Sequence, residues 1–283
     1  MLTDAFLSRL DTLRLALRGR AQGGAGGSRR SRQAGSSAEF SDYREYIPGD
    51  DIRRIDWNAM ARFDRLFLKL FMEEQESQVT VMLDASASME AKWETARKAA
   101  EAVGYLALTG GDRLVLYSLK NGRTLRSQPF AGRAAYPRLS GFLDTLIPDG
   151  REGSLTEAVK RAEGLRKGLC VLVTDGYTED AMKEALNYLR YCRQETEVIQ
   201  VLSGEELRPE LDGAVRLTDS ESGETLDLIA DRGALEDYHD TLDAFLKEVR
   251  ENCSSREAAY MLLDSEKSFE ECFIPLLSKG GMI

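Results

Sequence analysis

The sequence predicts an α/β protein, doubly wound around a mostly parallel sheet, with a small accessory β subdomain. Three observations carry this. Residues 79–83 (Val-Thr-Val-Met-Leu) form an apolar, β-branched run of the kind found in strands covered on both faces. Residues 170–173 (Cys-Val-Leu-Val) repeat that pattern. From Trp93 to Leu202 helical and strand-like stretches alternate, which implies a parallel sheet wrapped by helices.

Taken in order, the chain opens with Leu2, Phe6, Leu7, Leu10, Leu13, Leu15 and Leu17, spaced as an amphipathic helix over residues 1–18 that can dock on its own domain or on a partner. Residues 19–39 have the Gly/Ser/Arg composition of a linker. The first 39 residues hold seven arginines against Asp4, Asp11 and Glu39, so a basic arm for nucleic acid is a weaker alternative to a solvated tether. Residues 40–76 read as a charged, β-rich element turning at Pro48-Gly49, with an ion-pair lattice around Trp57 packed beneath it.

Residues 77–203 form the core of the alternating region. Within it, helices are expected over 93–109, 136–146, 155–167 and 180–192, and strands over 112–118, 169–174 and 197–202. Asn121-Gly122 is a hairpin signal that makes 123–127 an antiparallel edge strand. Residues 204–232 contain a hairpin, 215–218 against 224–228, expected to pack with 40–76. Residues 233–283 complete the fold with a helix over 235–249, a strand over 258–263 and a helix over 267–277.

With 283 residues, 42% hydrophobic and 30% charged, the chain can bury a sizeable core as one large or two modest domains. A formal charge of -10 argues against general nucleic-acid binding. From Gly204 to Ile283 twenty acids face eight bases, a solvated acidic face or a surface for a basic partner. No apolar run approaches the roughly 20 residues needed to span a bilayer. Asp4, Arg9 and Asp11 stand where a signal peptide would be apolar, so the expectation is a cytoplasmic protein without a transmembrane segment. Cys170, Cys192, Cys253 and Cys272 are too widely spaced for a zinc site or a disulfide framework and read as reduced, mostly buried thiols. The one histidine, His239, is remote in sequence from the loops described next.

The run at 79–83 ends in Asp84-Ala85-Ser86-Ala87-Ser88, one carboxylate and two hydroxyls where a buried strand meets the sheet edge, the place where ligands gather in open α/β sheets. Hard oxygen donors without thiolate or imidazole select Mg2+, with Mn2+ as an alternative, over zinc. Mostly neutral ligands leave the cation charge to spare, so a water or an acidic group from another molecule can complete an octahedron at about 2.1 Å. The plainer reading is a polar turn in which Asp84 caps the next helix. Two further loops offer the same atoms: Thr174-Asp175-Gly176 after the second buried strand, and Gly153-Ser154-Leu155-Thr156 at the start of a helix.

These three loops resemble the metal-ion-dependent adhesion site of the von Willebrand factor A domain. The resemblance assigns Asp84, Ser86 and Ser88 to its first loop and Asp175 to its third, with Ser154 or Thr156 as the hydroxyl of its second. Upstream, Tyr43, Arg44, Tyr46, Gly49, Asp50, Asp51, Arg53, Ile55, Asp56, Trp57, Ala61 and Arg62 resemble the signature of a bacterial family, domain of unknown function 58, in which such a segment precedes a von Willebrand A domain. The likeness continues through 66–74 and 217–224 and covers nearly everything after residue 39.

The function expected is a magnesium-dependent protein-binding module rather than an enzyme. The resemblance implies a cytoplasmic adaptor working with a MoxR-type AAA+ ATPase in chaperone-like assembly or maturation of other proteins, the partner offering an acidic residue to the metal. A metal-dependent hydrolase with Asp84 or Asp175 as base is the alternative. Against it, the three loops contain no Lys, Arg or His to stabilise developing charge, Arg151 being nearest. No P-loop is present, so the chain itself is not expected to hydrolyse ATP.

Overall fold

The computed structural model describes residues 2–23, 39–48, 50–52, 55–63, 65–72, 78–120, 122–150, 154–178, 182–220 and 222–280. They fall into two compact units, one of Met1–Ala25 with Gln78–Ile283 and one of Gly26–Ser77. In chain order the elements are α1 (Asp4–Gly23), β1 (Glu39–Glu45), α2 (Trp57–Phe63), β2 (Phe67–Met72), β3 (Gln78–Asp84), α3 (Trp93–Gly110), β4 (Arg113–Lys120), β5 (Arg123–Arg126), β6 (Phe130–Ala131) and α4 (Tyr136–Asp144). There follow α5 (Leu155–Lys160), β7 (Gly168–Thr174), α6 (Lys183–Tyr191), β8 (Gln194–Leu202), α7 (Gly204–Leu207), β9 (Gly213–Thr218), β10 (Thr225–Ala230), α8 (Arg232–Ser254), β11 (Ala259–Asp264) and α9 (Phe269–Gly280).

In the larger unit the strands of the main sheet run β11-β8-β7-β3-β4-β5, with β6 also on β4. All pairs from β11 to β4 are parallel, and β5 and β6 are antiparallel to β4. Alternate residues of each strand feed two separate apolar cores. Val79, Val81, Leu83, Val171 and Val173 face one, shared with α3, α4 and α9. Met82, Cys170 and Leu172 face the other, shared with α5, α6 and α8. Helices thus cover both faces, which is why the central strands read as unbroken apolar runs.

Helix α1 docks on its own unit: Phe6, Leu7 and Leu10 are buried in the first core, and the Phe6 ring meets Phe269 of α9 edge-on at 5.6 Å. The helix continues to Gly23, past the residue-18 limit expected, and residues 24–38 of the expected linker lie outside the described residues. The hairpin β9–β10 forms in register from Thr225 opposite Thr218 to Ala230 opposite Gly213. Helix α5 stops at Lys160 with Arg161 as its C-cap, and Gly164, at a left-handed φ of 78°, keeps helical backbone from running on to Lys167. Helix α8 extends both ways beyond 235–249, capped at its start by Asp231, whose Oδ1 accepts from the Ala234 amide at 2.8 Å.

In the smaller unit β1 and β2 form an antiparallel pair with an irregularity between Phe40 and Asp42. The β-rich segment expected here also carries the short helix α2 between its two strands. Among the described residues of this unit, Ile55, Asp56 and Leu68 are buried. Asp56 organises the unit: Oδ2 accepts from the Tyr43 hydroxyl at 2.9 Å, and Oδ1 accepts from the amides of Asn58 and Ala59 at 2.9 and 3.2 Å, capping α2. Trp57, expected beneath the charged segment, is instead 63% exposed. It is the first residue of a seven-residue helix with no buried residue, so nothing in that helix packs it down. Part of the ion-pair lattice exists: Arg44 Nη2 donates to Asp50 Oδ1 at 2.7 Å. The Ile47 amide and then Arg44 hold the Asp50 carboxyl below its usual range. Tyr46 is half-buried, Asp51 and Arg62 are exposed, and Gly49 and Arg53 lie outside the described residues.

Candidate metal centre

The site sits where the strand order reverses. From β3 the chain steps outward to β4 and β5, then returns to add β7, β8 and β11 on the other side of β3. The carboxyl ends of β3 and β7 therefore flank the switch point at which crevices form in open sheets. Asp84 ends β3 and Asp175 follows β7, and the two strands are paired in register up to Leu83 opposite Val173.

Both carboxylates are buried, Asp84 at 5% exposure and Asp175 at 2%. Asp84 Oδ1 accepts from the Ser86 amide at 3.0 Å and Oδ2 from the Thr174 hydroxyl at 2.6 Å. Thr174 Oγ1 in turn accepts from the Gly176 amide at 3.0 Å, so one threonine ties the first loop to the third. The Asp175 Oδ1 accepts from the Tyr177 amide at 3.2 Å, and the Asp175 carbonyl accepts from Gln200 Nε2 at 2.7 Å. Gly176 has a φ of 78°, and a Cβ there would stand 3.2 Å from Met182 Cε, so the Asp-Gly pair is required by the turn. The hydroxyls of Ser86 and Ser88 lie 3.0 Å apart on the 3-10 turn Ala87–Lys92 and its preceding residue.

Burial, and secondly the charge of Asp175, push the Asp84 carboxyl up to about 6. Like charges held together out of water, beside paired hydroxyls, are the chemistry of a cation site. Among the described residues no three or more His, Cys, Asp and Glu side chains converge as metal ligands. A cation held here would lean on the hydroxyls of Ser86 and Ser88 as well as on Asp84 and Asp175, a donor set suited to a hard ion.

The second loop is anchored to the first through Gly150, whose carbonyl accepts from the Ala87 amide at 2.7 Å and whose amide donates to the Ala85 carbonyl at 3.1 Å. Residues 151–153 lie outside the described residues. Ser154 is the exposed N-cap of α5, its Oγ accepting from the Thr156 amide at 3.1 Å. The structure thus brings Asp84, Ser86, Ser88 and Asp175 together, and gives Ser154 a capping role.

The three loops themselves hold no Lys, Arg or His, but the fold brings one cation to them from outside. Lys92, the last residue of the 3-10 turn, is 1% exposed, and its Nζ lies 3.1 Å from Asp175 Oδ2 and 2.5 Å from Glu206 Oε1. The ammonium also lies 5.0 Å from the centre of the Tyr177 ring, which stacks on Phe245 at 5.2 Å. Asp175 Oδ2 nevertheless makes no hydrogen bond of acceptable geometry, so the contact is charge on charge. Thr174, Gln200 and Glu206 were likewise not singled out from sequence, because each acquires its role only through a neighbouring strand or turn.

The family described as "Protein of unknown function DUF58" matches residues 42–244, most of the chain. The protein belongs to the DUF58 family. Among curated relatives, this DUF58 chain is 26% identical over 285 residues to Uncharacterized protein Rv1480 of Mycobacterium tuberculosis, covering 95% of the chain and 83% of the relative. The same figures hold for Uncharacterized protein Mb1516 of Mycobacterium bovis. Among solved structures, the DUF58 chain is similar to conserved hypothetical protein BatB from Bacteroides thetaiotaomicron, at 15% identity and a TM-score of 0.44, over 73% of this chain and 100% of that one. No helix among the described residues of the DUF58 chain is long and apolar enough to cross a membrane.

Proposed function

We propose that the larger unit is a von Willebrand factor A type module that binds a protein partner through magnesium, with Asp84, Ser86, Ser88 and Asp175 as its ligands and Ser154 or Thr156 as the second-loop hydroxyl. The observation that carries this reading is the burial of Asp84 and Asp175 at the ends of two neighbouring parallel strands, beside the Ser86–Ser88 hydroxyl pair. A bound magnesium would supply a Lewis-acidic point for a carboxylate of another molecule. The chain's own part is to hold its ligands: Thr174 and the Ser86 amide fix both oxygens of Asp84, and Gln200 fixes the backbone of Asp175. The partner class, a MoxR-type AAA+ ATPase served by a cytoplasmic adaptor, comes from the sequence resemblance alone.

A second reading, metal-assisted hydrolysis, gains from Lys92, a buried cation beside Asp175 of the kind that steadies developing negative charge. Size-exclusion chromatography of the chain with a MoxR-type AAA+ ATPase, in Mg2+ or EDTA, separates the two. Magnesium-dependent co-elution that is lost in Asp84→Ala supports the module. Association unchanged by EDTA or by the substitution overturns it, and metal binding without association turns the search to phosphate and peptide hydrolysis.

A further inference from the structure

Lys92 is carried to the third loop by the same turn that bears the hydroxyl pair. Its ammonium is out of water, a placement that costs several kcal/mol unless opposite charges are close. Those charges come from two different elements: Asp175 after β7, and Glu206 in α7. Glu206 is itself held rigidly. Its Oε2 accepts from the Ser203 amide at 2.6 Å while Ser203 Oγ accepts from the Glu206 amide at 3.1 Å, a closed capping box. The Glu206 carbonyl also accepts from the Tyr238 hydroxyl of α8 at 2.8 Å.

Asp175 Oδ2 is thus a buried oxygen without a hydrogen bond, faced by an ammonium that has a second carboxylate within reach. A divalent ion on Asp175 and an ammonium at 3.1 Å from the same oxygen repel each other. We propose that Lys92 is a tethered cation that competes with the divalent ion for Asp175, and that Glu206 sets the outcome by retaining the ammonium when the metal takes the carboxylate. This rests on the metal-site reading above. Lys92 holds Asp175 in place without metal and lowers the affinity of the site. Glu206 shares the ammonium and restores part of that affinity. Metal occupancy is thereby tied to the seat of α7.

The proposal makes the two partners act in opposite directions, which a merely structural ion pair does not do. Isothermal titration of the full chain with Mg2+ and with Mn2+ at pH 7.5 reads it directly, and the metal-induced rise in melting temperature gives a second readout. Lys92→Met is expected to tighten both ions by about tenfold or more, and Glu206→Gln to weaken them to a similar degree. If wild type binds and Lys92→Met weakens binding or leaves it unchanged, the competition is overturned while the metal site stands. If Glu206→Gln tightens binding or leaves it unchanged, the role of Glu206 is overturned, and this variant alone decides where Lys92→Met fails to fold. If wild type binds neither ion, the metal site and the inference fall together.

Discussion

In metal-free protein, Asp84 should make the fold less stable as pH rises. An unfolded carboxyl ionises near 3.8, whereas burial and then Asp175 hold the folded Asp84 proton until about 6. Between those values the folded state binds the extra proton, so the contribution is fully present below 3.8 and lost as pH rises through about 6. The difference of about two pH units, at 1.36 kcal/mol each, puts the penalty at neutral pH on the order of 3 kcal/mol. Urea denaturation in EDTA from pH 4 to 8 measures it, with Asp84→Asn as the reference that cannot ionise. The variant should gain on wild type across that range, by most between pH 4 and 6, with little further change above pH 7. Adding Mg2+ at pH 7.5 should close the gap by stabilising wild type alone. Parallel stability curves for the two proteins in EDTA would refute the claim that two carboxylates share this space at a cost.

Two further outcomes follow from burial. Phe6→Ala should cost about 3 to 5 kcal/mol in urea denaturation, since the ring is fully buried against α9, and an unchanged midpoint would show that α1 does not belong to the core. Trp57→Ala should change stability by less than about 0.5 kcal/mol, because the indole is largely exposed, and a loss of several kcal/mol would show it to be covered.

The sheet and the acidic half of the site were legible because their causes are local. Runs buried on both faces announce β3 and β7 by composition, and an acid directly after such a run falls at a strand end whatever the rest of the chain does. Asn121-Gly122 placed β5 correctly as an antiparallel edge strand because its turn chemistry acts within four residues. What stayed hidden depends on partners distant in sequence. Lys92 follows Glu90 and Ala91 and reads as an ordinary surface lysine. Only a 3-10 turn, and carboxylates from the loop after β7 and from α7, draw it inside. An indole amid charged residues reads as a packed side chain, yet a seven-residue helix has a buried face only if something covers it. Asp56 beside it, polar and easily taken for surface, is the buried residue because its carboxylate accepts from the Tyr43 hydroxyl and from the amides of Asn58 and Ala59. The second-loop hydroxyl stays divided between Ser154 and Thr156 for a related reason: an N-cap and a metal ligand ask for the same residue type.

The seating of α1 on α9 also has a temporal side. Thr3 donates to Glu270 and Arg9 pairs with the same side chain, contacts between residues as much as 267 positions apart. A ribosome adding about 5 to 20 residues per second needs roughly 13 to 53 s to cover that interval. Throughout it Phe6 lacks its aromatic neighbour Phe269, and the earlier resting place for the first helix is α3 together with Arg133, which pairs with Asp11. Helix α1 is therefore locked only after α9 has been made, and until then Phe6 is open to chaperones or to a neighbouring nascent chain.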